Sequence, residues 1–266
     1  MNSEKHQVEV SRHSDIRIPI ALSPPMAHPI TAVLFDIGGV VVRSPLLAIE
    51  AYEIENKIPL GYINWNIYHG GPNSAWKRLE RNEISMDNIF FDGFQAELNE
   101  PNMWTRYHGE KGLVPPPVPQ IDGKWLFWEM MRVSREYNPS VVNAIEKLRQ
   151  TGKYKLGALT NNYVFPEGHP YRDEGKTRAL FDIYIASAEV GMRKPEHRIF
   201  EHAIKAMGVE KPSQIVFLDD LGGNLRAAKE MGLRTIKVPL YDTQNAVRQL
   251  EDMLGEDLSL SPSSKL

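Results

Sequence analysis

The sequence predicts an α/β protein: a doubly wound parallel sheet carrying a helical insertion. Three observations predict it. Four apolar, β-branched runs have strand length, helical patterns fall between them, and this alternation stops over residues 46–138. Strands buried on both faces read as continuous apolar runs, which is the pattern here.

In chain order, residues 1–28 are expected to form a loosely ordered polar arm with a Pro-rich end, SPPMAHP. Residues 1–12 lack the apolar core of a secretory signal. Residues 32–35 read as the first buried strand. Within the insertion, residues 74–81, 86–98 and 124–135 read as helices, and LVPPPVPQ at 113–120 reads as a Pro-rich hinge. The Trp, Tyr, Phe and Met residues of this stretch are expected to form its own core. Beyond it come a helix at 141–150, a strand at 156–159 and a shorter strand at 183–186. A helix at 196–207 follows, with Ile199, Phe200, Ala203, Ile204 and Met207 at helical spacing. A strand at 215–218, a helix at 224–231 closed by Gly232, and a strand at 235–238 complete the pattern. The sheet-bearing parts are thus 29–45 and 139–254. Residues 255–266 read as a flexible Ser/Pro-rich tail.

The 266 residues suit one large domain or two unequal ones. With 42% apolar and 24% charged residues, a sizeable core is expected. A net charge of -3 gives no electrostatic footprint for nucleic acid or an anionic membrane. No apolar stretch is long enough to span a bilayer. The absence of cysteine excludes disulfides, thiolate metal sites and a cysteine nucleophile. The chain closes on Ser264-Lys265-Leu266, a tripeptide read as a peroxisomal address by a soluble import receptor. A peroxisomal location is expected if the source is eukaryotic, and a cytoplasmic one otherwise.

Polar groups follow four of the strand runs. Asp36 follows the first, Thr160 and Asn161 the second, Lys194 lies soon after the third, and Asp219 and Asp220 follow the fourth. Any one of them is an ordinary turn or N-cap residue. Brought together at one sheet edge, they make a site. The carboxylates offer the oxygen ligands that Mg²⁺ prefers, and one carboxylate can be a nucleophile. A lysine would neutralise a transferred phosphoryl group, while a hydroxyl and backbone N–H groups hold its other oxygens.

The stretches FDIGGVV, LTNN, VGMRKPE and FLDDLGGNLRAAKEMGLRTIKV resemble the haloacid dehalogenase superfamily. They are most similar to the branch containing the N-terminal phosphatase domain of soluble epoxide hydrolase. The resemblance covers about residues 30–240 and implies a Rossmann-like core with a helical cap at 46–138. It implies Asp36 as nucleophile, Lys194 as catalytic lysine, and Thr160, Asn161, Gly38 and Gly39 as phosphate-binding residues. It also implies a Mg²⁺ cofactor held by Asp36, the Gly38 carbonyl and Asp220, with Asp219 beside them binding through water.

Gly38 departs from the family's phosphatases, which carry at this position an aspartate that acts as general acid and then base. General acid–base catalysis is typically worth about 10²–10⁴ in rate. Three readings follow. The first is a phosphatase of small organic phosphate monoesters that works through an aspartyl-phosphate. It would use good leaving groups or borrow a proton donor, with His69 and His108 as cap candidates. The second is a 2-haloacid dehalogenase, whose leaving halide needs no proton but which has no use for a metal-binding Asp pair. The third is a weak or silent domain that binds a phosphorylated ligand or protein partner. The expectation is the phosphatase, with the cap closing over the site and ERNEIS at 80–85 in a cap turn able to reach it.

Overall fold

The structure, a computed structural model, describes residues 29–260. The expected N-terminal arm and the Ser264-Lys265-Leu266 terminus lie outside the described residues.

The first strand is β1 (Ala32–Phe35). Six helices follow: α1 (Leu46–Glu55), α2 (Tyr62–His69), α3 (Ala75–Glu80), α4 (Asn88–Leu98), α5 (Pro101–Glu110) and α6 (Gly123–Val133). The rest alternates as α7 (Pro139–Thr151), β2 (Lys155–Thr160), α8 (Gly175–Arg178), β3 (Ile183–Ala186), α9 (Ser187–Val190) and α10 (His197–Met207). It ends with β4 (Ile215–Asp219), α11 (Gly222–Glu230), β5 (Arg234–Lys237) and α12 (Thr243–Leu254).

All pairings are parallel, in the order β3-β2-β1-β4-β5. The strand order reverses between β1 and β4, which makes their carboxyl ends the crevice where such sheets place ligands. Alternation along β1 divides the core in two. Val33 and Phe35 pack with Ala144, Ile145 and Leu148 of α7 and Ala246 and Leu250 of α12. Ala32 and Leu34 pack with Phe200 and Ala203 of α10 and Ala227 and Ala228 of α11.

The helices between β1 and α7 enclose a separate core around Tyr62, Phe90, Phe94, Trp104 and Phe127. This aromatic content is the cap's interior, as expected. The Pro-rich stretch joins α5 to α6 inside the cap, where the Pro116 carbonyl accepts a bond from Trp104 Nε1 at 2.7 Å. It is not the hinge to the sheet. That hinge is a pair of antiparallel segments: Val42 bridges Tyr137, Arg43 N donates to Glu136 O at 2.8 Å, and Asn138 N donates to Val41 O at 2.9 Å.

Boundaries moved where partners, rather than local pattern, decide them. β2 runs on to Thr160 because Thr160 pairs Ala186, and β4 runs on to Asp219 because Asp219 pairs Lys237. β5 starts one residue earlier than expected, since Arg234 pairs Val216. The helices α1, α2, α5 and α12 had not been read from the sequence. α1, LLAIEAYEIE, is apolar nearly all round and shows no stripe, whereas α12 carries a clear buried face of Ala246, Val247 and Leu250 that the sequence reading passes over.

Candidate active site

The ends of β1 and β4 set the site. In-register pairing puts Phe35 beside Leu218, and Asp36 N donates to Leu218 O at 2.9 Å. Asp36 and Asp219 therefore leave adjacent strands at the same level. One carboxylate oxygen from each of Asp36, Asp219 and Asp220 lies within 4.8 Å of the others.

Each carboxylate has a different surrounding. Asp36 Oδ1 accepts from Ile37 N at 2.7 Å and pairs with Lys194 Nζ at 2.8 Å. Its second oxygen takes no hydrogen bond among the described residues. Asp219 is fully buried and saturated: Oδ2 accepts from Lys194 Nζ at 2.7 Å, Oδ1 from Leu221 N at 2.7 Å, and Asn224 Nδ2 reaches both. Asp220 Oδ2 accepts from Ser44 Oγ at 2.8 Å, and that hydroxyl accepts in turn from Leu46 N at 3.2 Å.

The electrostatics follow from burial and crowding. Burial, then the neighbouring charges of Asp219 and Asp220, push Asp36 well above the usual carboxylate range, and Lys194 opposes them. Burial and Asp219 raise Asp220 to about 7. Burial works against the Lys194 ammonium, but Asp219 and Asp36 outweigh it and hold the pKa above normal. Three carboxylates against one lysine leave a negative excess in a buried place. The donor set is oxygen only, which fits a hard divalent cation such as Mg²⁺. Gly38 lines the cavity, and its carbonyl accepts no hydrogen bond among the described residues. Asp36 and Asp220 thus bring carboxylate oxygens together beside the cavity that Gly38 also lines, while the oxygens of Asp219 are occupied by protein donors.

The remaining expected residues divide. Asn161 lines the cavity, yet its amide grips the Lys194 backbone: Oδ1 accepts from Lys194 N at 2.8 Å and Nδ2 donates to Lys194 O at 3.0 Å. Thr160 is buried, with its hydroxyl turned to the Asn161 carbonyl at 3.3 Å, and it does not line the cavity. Gly39 does not line it either; it takes φ +80° and lets Asp220 pass close by. Neither histidine candidate reaches the cavity. His69 Nδ1 bonds Trp65 O, and His108, buried in the cap core, bonds Trp104 O, each at 2.9 Å. ERNEIS does reach it, through Glu80 and Arg81.

The cavity above Asp36 has a volume of about 570 Å³. Leu46, Ile67, Tyr68 and Trp76 from the cap and Tyr163 and Leu221 from the core supply most of its apolar wall. Sequence reasoning missed Ser44, Tyr163, Arg193 and Asn224. Only Asn224 carried a local signal, as the amide closing LDDLGGN.

A family model described as haloacid dehalogenase-like hydrolase matches residues 30–232. Acyl-CoA dehydrogenase family member 10 of Mus musculus is 31% identical over 86% of this chain and 20% of its own length. Bifunctional epoxide hydrolase 2 of Rattus norvegicus is 43% identical over 48% of this chain and 23% of its own length. This chain therefore spans under a quarter of either relative. Sesquiterpene phosphatase astK of Aspergillus oryzae is 23% identical over 84% of this chain and 96% of its own length. A HAD-family enzyme of Bacteroides thetaiotaomicron, solved with magnesium and inorganic phosphate, superposes with TM-score 0.50. That match has 22% identity over 80% of this chain and 96% of the other. It establishes the shared fold.

Proposed function

This chain belongs to the haloacid dehalogenase-like hydrolases, and we propose that it is a Mg²⁺-dependent phosphatase of small organic phosphate monoesters. The observation that carries this reading is the convergence of Asp36, Asp219, Asp220 and Lys194 at the ends of β1 and β4, beneath a cavity. The phosphatase named among its relatives supports it.

The chain's own groups divide the work. The uncommitted oxygen of Asp36 attacks phosphorus, the ester P–O bond breaks and the alcohol departs. Water then hydrolyses the aspartyl-phosphate to free Asp36 and inorganic phosphate, while Lys194, already against Asp36, neutralises charge on the phosphoryl oxygens. Asp219 and Asn161 hold that lysine by its head and its backbone. Backbone groups near Gly38 and Asn161 are the remaining phosphate contacts, with Thr160 in support behind them. Asp36, the Gly38 carbonyl and Asp220 would hold Mg²⁺, which when bound screens the repulsion between nucleophile and phosphate. The largely apolar wall of the cavity favours an organic group that is itself apolar or aromatic.

Gly38 has no side chain to protonate the leaving oxygen, so esters with good leaving groups should be preferred. The halide-releasing alternative leaves Asp220 with no metal to hold, and the silent-domain alternative gives Asp36 no task.

The test is phosphate release from a panel of aryl and alkyl phosphates, with Mg²⁺ and with chelator, for wild type and Asp36→Asn. Metal-dependent release that vanishes in a folded Asp36→Asn variant is the expected result. Release that survives the substitution overturns the nucleophile assignment.

A further inference from the structure

Two consecutive cap residues grip the ends of the turn that carries Lys194. Glu80 ends α3 and Arg81 follows it. On the sheet side, Glu196 N donates to Arg193 O at 2.9 Å, so residues 193–196 form a closed turn with Lys194 inside it. Glu80 pairs with Arg193, and Arg81 Nη1 pairs with Glu196 at 3.4 Å. The side chains of Glu80 and Arg81 are only 6% and 8% exposed, and that of Arg193 is 13% exposed. A pair as withdrawn from water as Glu80–Arg193 is little screened, and losing one partner strands the other. Arg81 is itself fixed on the cap by Glu83 at 2.6 Å and by the Pro72 carbonyl at 2.8 Å. All four residues of the crossed pairs line the cavity.

We propose that Glu80 and Arg81 are positioning residues for Lys194: their ion pairs to Arg193 and Glu196 seat the turn so that the ammonium lies between Asp36 and Asp219. Asn161 holds this turn from the sheet side, through the Lys194 peptide groups. The cap supplies the opposing grip. Seating of the cap and placement of the lysine are then one event, and a cap swung away from the sheet leaves the phosphoryl site incomplete. This explains why two opposite charges stand side by side on the cap in front of an otherwise mainly apolar wall. The kinetic part of the proposal rests on the phosphatase reading, whereas the placement of the lysine does not.

The test uses the full chain with Glu80→Gln and Glu196→Gln. Glu196 side chain is 30% exposed and also pairs with Arg198, so its variant should fold even if the more buried one does not. The first readout is acylation of Lys194 by a brief pulse of an amine-reactive ester, quantified by peptide mass spectrometry against the other lysines. The second is kcat and KM for p-nitrophenyl phosphate. In variants with native circular dichroism, Lys194 labelling should rise several-fold. kcat should fall by roughly tenfold to a hundredfold, with KM changing less, as for a displaced catalytic group. A folded variant with lowered thermal stability but wild-type labelling and kcat would reduce the pairs to structural struts and overturn the proposal. If wild type releases no phosphate, the phosphatase reading fails, and the labelling still decides whether the cap positions the lysine.

Discussion

The backbone of Gly39 lies directly under the carboxylate of Asp220. A Cβ at Gly39 would fall 2.0 Å from Asp220 Oδ2 and 2.4 Å from its Cγ, and the residue already sits at φ +80°. Gly39→Ala must therefore displace the acid, in addition to a backbone penalty of about 1–2 kcal/mol. We expect a folded protein whose Mg²⁺ affinity, read by calorimetry, drops at least tenfold, together with loss of turnover. Unchanged affinity would remove Asp220 from the metal site.

Ser44 acts on the same oxygen from the other side, at 2.8 Å. It orients Asp220 and is itself oriented by Leu46 N, the first residue of the first cap helix. Outer groups of this kind typically contribute about 10–100-fold to metal affinity. Ser44→Ala should weaken Mg²⁺ binding by that factor and leave the circular dichroism spectrum intact. Ser44→Thr should recover most of the loss if the hydroxyl is what matters.

Gly38→Asp tests the missing acid. A Cβ there meets only Pro45 Cδ at 3.5 Å, an ordinary contact, and φ is outside the left-handed region. The substitution has room. Rates should rise for alkyl phosphates by up to about 10²–10⁴ and change little for aryl phosphates, whose leaving groups need no proton. An equal fall for every ester would mean that Gly38 is required for space or for its carbonyl's freedom.

The raised acids set a pH dependence. Asp220 moves from 3.8 to about 7 in the folded chain, so the folded state holds that proton more tightly than the unfolded one. Its contribution to stability is complete below the unfolded value and is lost as pH rises through about 7; Asp36 shifts in the same direction. Metal-free protein should thus melt at a lower temperature at about pH 8 than at about pH 5. Mg²⁺ competes with those protons, so it should raise the melting temperature more at the higher pH. Melts in chelator and in Mg²⁺ at both pH values check the two signs.

The sheet was legible because its strands are buried on both faces and read as unbroken apolar runs; 32–35 and 183–186 were recovered residue for residue. Asp36, Asp219 and Asp220 were legible because a parallel sheet delivers its strand ends to one edge, whereas Lys194, in the turn beyond α9, was legible through the VGMRKPE stretch. Ser44 was not, because its partner is 176 residues away in sequence and nothing local marks it. The Glu80–Arg193 pair, 113 residues apart, was hidden for the same reason. His69 and His108 misled because a cap location says nothing about facing; each ring bonds a carbonyl one helical turn back. Tyr163 shows a subtler limit. It follows LTNN directly, but its role in the wall depends on packing against Trp76 and Phe127 across the cavity's edge.

The laced pair at Val42 and Tyr137 has a consequence for the architecture of the chain. Where it leaves the sheet and where it returns are neighbours, joined by backbone bonds, by the Arg43–Glu136 ion pair at 2.8 Å, and by Asn138 Nδ2 bonding the Val40 and Val42 carbonyls. To the sheet, everything between these points is equivalent to a tight turn. The entropy of closing so long an excursion is then met within the insertion's own fold, and the sheet need only close a gap of one bridge. The insertion's covalent entry and exit thus form one narrow stem, and its length is decoupled from the register of the strands, even though its residues reach back to the site.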